Sequence, residues 1–124
     1  MEYSVRAAFE FAATPTAGET VELYWAPSAS ATPGTGNPAN VTGVDMAYAG
    51  YSSNLDASLK QLEFIGAFVV TEQATGTVQV GEVSVFAPSQ RYGCLVVVNR
   101  AAAALHSDDV ESHVVFDPII PEQQ

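Results

Sequence analysis

Arg91-Tyr92-Gly93-Cys94-Leu95-Val96-Val97-Val98-Asn99 is the stretch on which the fold is read. Five apolar residues in a row, Cys94 to Val98, stand between Gly93 and Asn99. The three valines are β-branched and stiff at χ1, so they favour an extended backbone. No polar residue interrupts the run, which predicts a central strand covered on both faces. The single cysteine, Cys94, excludes an intramolecular disulfide and reads as an inert thiol buried in that strand.

Upstream of this stretch, Val78 and Val80 share one phase and Val83 and Val85 another. The change at Gly81 predicts a β-bulge or a corner between sheets within residues 77–86. Residues 61–72 set Leu62, Phe64, Gly66, Phe68 and Val70 on one face and Ile65, Ala67 and Val69 on the other. Gly66 inside that strand signals a bulge or a close backbone approach. At the start of the chain Tyr3, Val5, Ala7, Phe9 and Phe11 alternate with Ser4, Arg6, Ala8 and Glu10, a half-buried strand of period 2. In residues 20–26, Val21, Leu23 and Trp25 are expected inward. The intervening turn around Pro15 and Gly18 predicts that these two strands form an antiparallel hairpin.

Between the second strand and Lys60 the periodicity stops. Residues 27–43 read PSASATPGTGNPANVTG, a Pro/Gly-rich loop, and the irregular segment is expected to run over about residues 27–60. Leu55, Leu59 and Leu62 recur at i, i+4 and i+7, so a helical turn or two is expected, capped by Ser52 or Asn54. Downstream, Ala101–Ala104 is compatible with helix or loop, and Ser112–Asp117 forms the last strand. Six to eight short strands with little helix predict an all-β fold: one antiparallel two-sheet β-sandwich over residues 1–124, with jelly-roll or other Greek-key connections.

Composition narrows the function. The net charge is −10, from 14 acidic and 4 basic residues, so nucleic acid and anionic membrane surfaces are not expected partners. Charged residues are 15% of the chain, which leaves a surface of small polar residues suited to lying against other protein. Met1–Arg6 lacks the basic and apolar regions of a Sec-type signal. Asn40-Val41-Thr42 matches a glycosylation acceptor and is read as a chance match.

Few constellations could carry chemistry. His106, Asp108, Asp109 and His113 concentrate imidazole and carboxylate in one segment and are the candidate metal ligands. Their spacing matches no defined site, and the preferred reading is a solvated acidic turn with no metal. Glu10 and Glu22 are expected to face each other across the first hairpin with Arg6 beside them, a surface charge group rather than a glycosidase pair. Tyr24, Tyr48 and Tyr51, with Trp25, offer a possible sugar platform, although Trp25 is expected in the core. No nucleophile elbow, catalytic triad order or phosphate loop is present, so no catalytic residue, no enzyme and no cofactor is expected.

The segments Pro15–Ser28, Gly36–Asn40, Leu62–Thr71 and Pro88–Asn99 read PTAGETVELYWAPS, GNPAN, LEFIGAFVVT and PSQRYGCLVVVN. Together they resemble small virion structural proteins of tailed bacteriophages, over most of the chain from about Phe9 to Pro118. That resemblance implies a capsid decoration (cement) protein, made in the host cytoplasm and located on the capsid surface of the virion. It implies the major capsid protein as partner and a homo-oligomer, with a trimer favoured. Contacts are then expected from the irregular segment, with Pro33, Asn37, Pro38, Asn40, Tyr48 and Tyr51 as the candidate residues. The alternatives are a carbohydrate-binding adhesion module on the virion and a tail or head–tail connector component.

Overall fold

A computed structural model describes residues 1–44, 46–107 and 111–120. It contains β1 (Tyr3–Glu10), β2 (Thr20–Ser28), a 3-10 turn (Tyr51–Ser53), α1 (Leu55–Leu59), β3 (Glu63–Val69), β4 (Val78–Phe86), β5 (Tyr92–Asn99) and β6 (His113–Pro118). The strands form two antiparallel three-stranded sheets, ordered β4-β1-β6 and β3-β2-β5. The expected all-β two-sheet architecture is therefore present. The β2–β3 connection joins neighbours in one sheet, and the others cross between sheets.

The chain divides into two compact units. One comprises Met1–Glu22, Gly66–Ala87 and Val98–Gln124; the other comprises Leu23–Ile65 and Pro88–Val97.

In the first unit β1 is the central strand of its sheet, paired with β4 on one side and β6 on the other. Val5, Ala7, Phe9 and Phe11 are buried as the alternation predicts. Ala8 and Glu10, expected outward, are buried too. Ala8 is a small residue on the central strand, in register with Val80 and His113. The two sheets meet where the Phe9 and Phe68 rings stand edge to face, 5.3 Å apart. Gly66 answers the close approach expected of it: a Cβ there would lie 2.7 Å from Cγ1 of Val83.

The bulge is real but sits two residues beyond Gly81. Val5 pairs with Ser84 and Arg6 with Glu82, so Val83 is the extra residue. In β4 Val80 and Val85 are exposed and Gln79 is buried. Gln79 takes that place because its amide behaves like a backbone partner. Its Oε1 accepts from the Thr71 N–H at 2.8 Å and from Thr71 Oγ1 at 3.0 Å, and its Nε2 donates to the Thr71 carbonyl at 2.9 Å. A buried polar group with every bond made carries no desolvation deficit. Gln79→Leu should cost about 1 kcal/mol, the net worth of the lost bonds, since Thr71 is exposed and its freed groups turn to water. A denaturant midpoint unchanged from wild type would refute that role.

The first hairpin does not form. β1 and β2 belong to different sheets. The connection is held instead by the Ala12 N–H on the Ala104 carbonyl and the Gly18 N–H on the Val70 carbonyl, both near 2.9 Å. Glu10 and Glu22 are accordingly not a cross-strand pair: Glu10 is buried, and Glu22 bonds the Arg100 guanidinium at 2.8 Å. Ala101–Ala104 resolves as bends rather than helix, followed by a bridge between Leu105 and Phe11. In β6 Val114 and Phe116 are the less exposed set.

In the second unit Leu23, Ala26, Ala39, Val41, Leu59, Leu62 and Ile65 are buried. β2 runs on through Pro27 to Ser28, so the irregular segment begins at Ala29. Its phase slips after Leu23: Ala26 and Ser28 take the inward positions and Trp25 becomes half-buried rather than core. The Trp25 indole lies against Gly93, where any Cβ would overlap it. α1 is a single short helix whose Asn54 cap accepts from the Ala57 N–H at 3.1 Å, as its sequence predicts.

The opening stretch requires the main correction. β5 ends the order β3-β2-β5 and is an edge strand, not a central one. Val96 and Val98 are buried, whereas Val97 is 37% exposed. An unbroken apolar run signals apolar surroundings on both faces, and a groove supplies them as well as a second layer of core does.

Candidate functional site

Among its described residues the irregular segment of the second unit contains no strand between Ala29 and Gly50, yet it is held by a series of hydrogen bonds. The Ser28 hydroxyl donates to the Thr35 carbonyl and accepts from the Ser30 N–H. The Asn37 amide donates to the Ala26 carbonyl at 2.9 Å, tying the loop back to β2. Ala39 and Val41 are buried, giving the loop a small core of its own. The chain turns through left-handed backbone at Gly34, Ala39, Asn40 and Gly43. The Tyr48 hydroxyl then donates to the Ala39 carbonyl at 2.7 Å. Past it, the fully buried Ser58 hydroxyl accepts from the Tyr51 N–H at 3.1 Å and donates to the Asn54 carbonyl at 2.7 Å.

Burial holds the Tyr48 hydroxyl above its ordinary value of 10.0; hydrogen bonding with Ser58 partly offsets this, and Tyr51 adds to it. A tyrosine whose folded value is raised stabilises fully below its unfolded value and loses that contribution as pH climbs through the folded one. Between about pH 9 and about pH 11 the wild-type melting temperature should therefore fall more steeply than that of Tyr48→Phe. Parallel falls would show that this hydroxyl is not held by the fold.

This ordered loop forms one wall of a groove, and residues Gly93–Val97 of β5 form the other. The groove has a volume of about 850 Å³. Val44 and Met46, each 65% exposed, stand on the loop wall. A smaller cavity of about 220 Å³ shares Pro33, Gly93 and Cys94 with the groove and adds Trp25, Asn37, Arg91 and Tyr92. There the Arg91 guanidinium lies over the Tyr92 ring, 5.5 Å from its centroid. The Asn37 Oδ1 atom is buried with no hydrogen-bond partner among the described residues.

The candidate contact residues separate. Pro33, Asn40 and Tyr48 line the groove, and Asn37 lines the smaller cavity. Pro38 is half-buried and its carbonyl accepts from the Val41 N–H at 3.2 Å, whereas Tyr51 is exposed and opens the 3-10 turn. Tyr24 packs edge-on against Phe64, and the Tyr48 hydroxyl is engaged by the loop backbone. Sequence reasoning passed over Val44, Met46, Arg91 and Tyr92. Two large apolar residues inside an otherwise small and polar loop were the available signal for the first pair.

Of the candidate metal ligands, His113 is exposed at the start of β6 and the His106 N–H donates to the Glu10 carbonyl at 2.8 Å. Asp108 and Asp109 lie outside the described residues. Among the described residues no three His, Cys, Asp or Glu side chains are gathered for a cation, and no helix is long and apolar enough to cross a membrane. Compared with protein-family models, curated protein sequences and solved structures, the chain matches none.

Proposed function

We propose that the protein is a non-enzymatic structural component of a bacteriophage virion that binds the outer surface of the capsid and stabilises the shell. The major capsid protein is its partner, and the copies associate with one another, as trimers in the favoured arrangement. The observation that carries this reading is the ordered loop with Val44 and Met46 each 65% exposed on it. Large apolar side chains held out on a hydrogen-bonded loop suit a contact with other protein. The resemblance of Pro15–Ser28 and Pro88–Asn99 to small phage virion proteins supplies the kind of particle. A sandwich with few surface charges suits a clamp that adds buried area at seams between shell subunits.

The test is occupancy. Deleting 29–42 would remove the buried Ala39 and Val41 and so damage the domain itself. Val44→Asp with Met46→Asp spares the core and should lower the number of copies per shell about tenfold or more, with a matching loss of heat resistance of the particle. Full occupancy by the double variant would exclude the loop as the contact.

A carbohydrate-binding adhesion module is a second reading, favoured by the cavity that brings Trp25 and Tyr92 together with Arg91 and the Ser28, Ser30 and Thr32 side chains. A glycan array on which the protein binds nothing removes it. Imaging separates shell decoration from a tail or connector place: many copies over the shell support the first, and a few at one vertex support the second.

A further inference from the structure

The smaller cavity belongs to the second unit, with residues 25–37 on one side and the start of β5 on the other. Its volume of about 220 Å³ is below the roughly 300–1,000 Å³ of pockets for drug-sized ligands, so it suits one small ring.

Three of its side chains call for particular partners. The first is Asn37. Its Nδ2 donates to the Ala26 carbonyl at 2.9 Å, and a carbonyl can only accept, so the amide cannot turn round. Its Oδ1, buried without a hydrogen-bond partner among the described residues, is therefore a fixed acceptor that awaits a donor. The second is Arg91, exposed at the cavity. The ion pair among the described residues joins Arg100 to Glu22 and leaves Arg91 out. The Tyr92 ring meets its guanidinium 5.5 Å from the ring centroid, a contact with the π face that consumes no N–H. Those donors match a planar carboxylate, taken in two parallel bonds. The third is Ser30, whose Oγ accepts from the Thr32 N–H at 3.1 Å and keeps its own hydrogen to donate.

A carboxylate for Arg91 and hydroxyls for Asn37 and Ser30 occur together on a sugar acid. Trp25 and Tyr92 among the lining residues suit the C–H face of its ring. The net charge of −10 opposes anions at long range. The Debye length is about 8 Å at physiological ionic strength, so the direct contact with Arg91 outweighs that field.

We propose that this cavity binds a hexuronic acid unit of a polysaccharide, with its carboxylate on Arg91 and one of its hydroxyls donating to Asn37 Oδ1. This sugar class rests on the adhesion reading of the cavity given above.

The full-length protein is offered three sets of probes: glycans ending in a hexuronic acid, the same glycans with the carboxyl reduced to an alcohol, and an acetylated tripeptide with a free C-terminal carboxylate. The acidic glycans should bind and shift the side-chain amide resonances of Asn37. Carboxyl reduction should weaken binding about tenfold or more. Arg91→Gln, at an exposed position, should keep the wild-type melting temperature and bind both forms at the weaker level. Equal binding of acidic and reduced glycans by wild type overturns the carboxylate contact and keeps the adhesion reading. Acid binding that survives Arg91→Gln, or that leaves the Asn37 resonances in place, puts the sugar elsewhere and overturns the cavity. A tripeptide bound as tightly as the acidic glycans, and lost in Arg91→Gln, makes the ligand a chain end and overturns the sugar. Binding of no glycan at all removes the sugar acid together with the adhesion reading.

Discussion

Leu23→Ala should destabilise the protein by about 2–5 kcal/mol, the range for emptying a closed aliphatic site. Val97→Asp should cost no more than about 1 kcal/mol. The contrast runs against the sequence, where Val97 lies at the heart of the longest valine run and Leu23 is one residue of an ordinary alternation. Leu23 is fully buried on the central strand of its sheet, and close-packed interiors relax only partly around a deleted side chain. Val97 is 37% exposed on an edge strand, so a carboxylate there turns into water instead of entering the core unpaired. Chemical denaturation with a shared slope measures both. A cooperative Leu23→Ala protein of wild-type stability, or a Val97→Asp protein that fails to fold, would return β5 to the centre of the sheet.

Gly34→Ala should cost about 2–4 kcal/mol although it adds one methyl group on an exposed loop. Two effects coincide. Gly34 has φ +78, where a side chain is strained, and a Cβ built there lies 2.5 Å from the carbonyl oxygen of Thr42. That oxygen belongs to backbone, so no rotamer change relieves the clash. The loop must open between Pro33 and Thr42, which separates one wall of the groove from its support. Gly18→Ala is the control: it shares a positive φ, +90, but its Cβ would meet nothing within 4 Å. It should lose only the left-handed strain, roughly 1–2 kcal/mol. Equal losses in the two variants would show that Thr42 does not hold the loop closed.

Legibility followed how far each signal depends on neighbours along the chain. Ser52 or Asn54 as a cap, Gly66 as a bulge or close approach and the Pro/Gly-rich loop are local signals, and each is readable. The failures came where a partner distant in sequence set the outcome. Gln79 is buried because Thr71 meets its amide with three hydrogen bonds, and nothing in the valine pattern of β4 announces that. Ala8 is buried on a strand flanked on both sides by strands distant in sequence. Glu22 meets Arg100 and not Glu10, since the strands expected to form a hairpin part into separate sheets. The groove shows the same limit. Pro33, Asn40 and Tyr48 were nameable from an irregular, uncharged segment, while the opposite wall, Gly93–Val97, had been assigned to the interior.

By itself the sequence determined that this protein is all-β, with two sheets, a capped short helix and one long loop rich in Pro and Gly. Period-2 alternation, β-branching and turn residues act within a few positions, and the chain carries them openly. Only the tertiary structure decided which strands are central, which face of β4 is buried, and that the valine stretch Tyr92–Asn99 lies at an edge beside a groove. Strand order is set by which elements close over which, a property of pairings between distant residues. An apolar run records only that each side chain finds apolar surroundings, whether they come from a core or from a partner yet to dock.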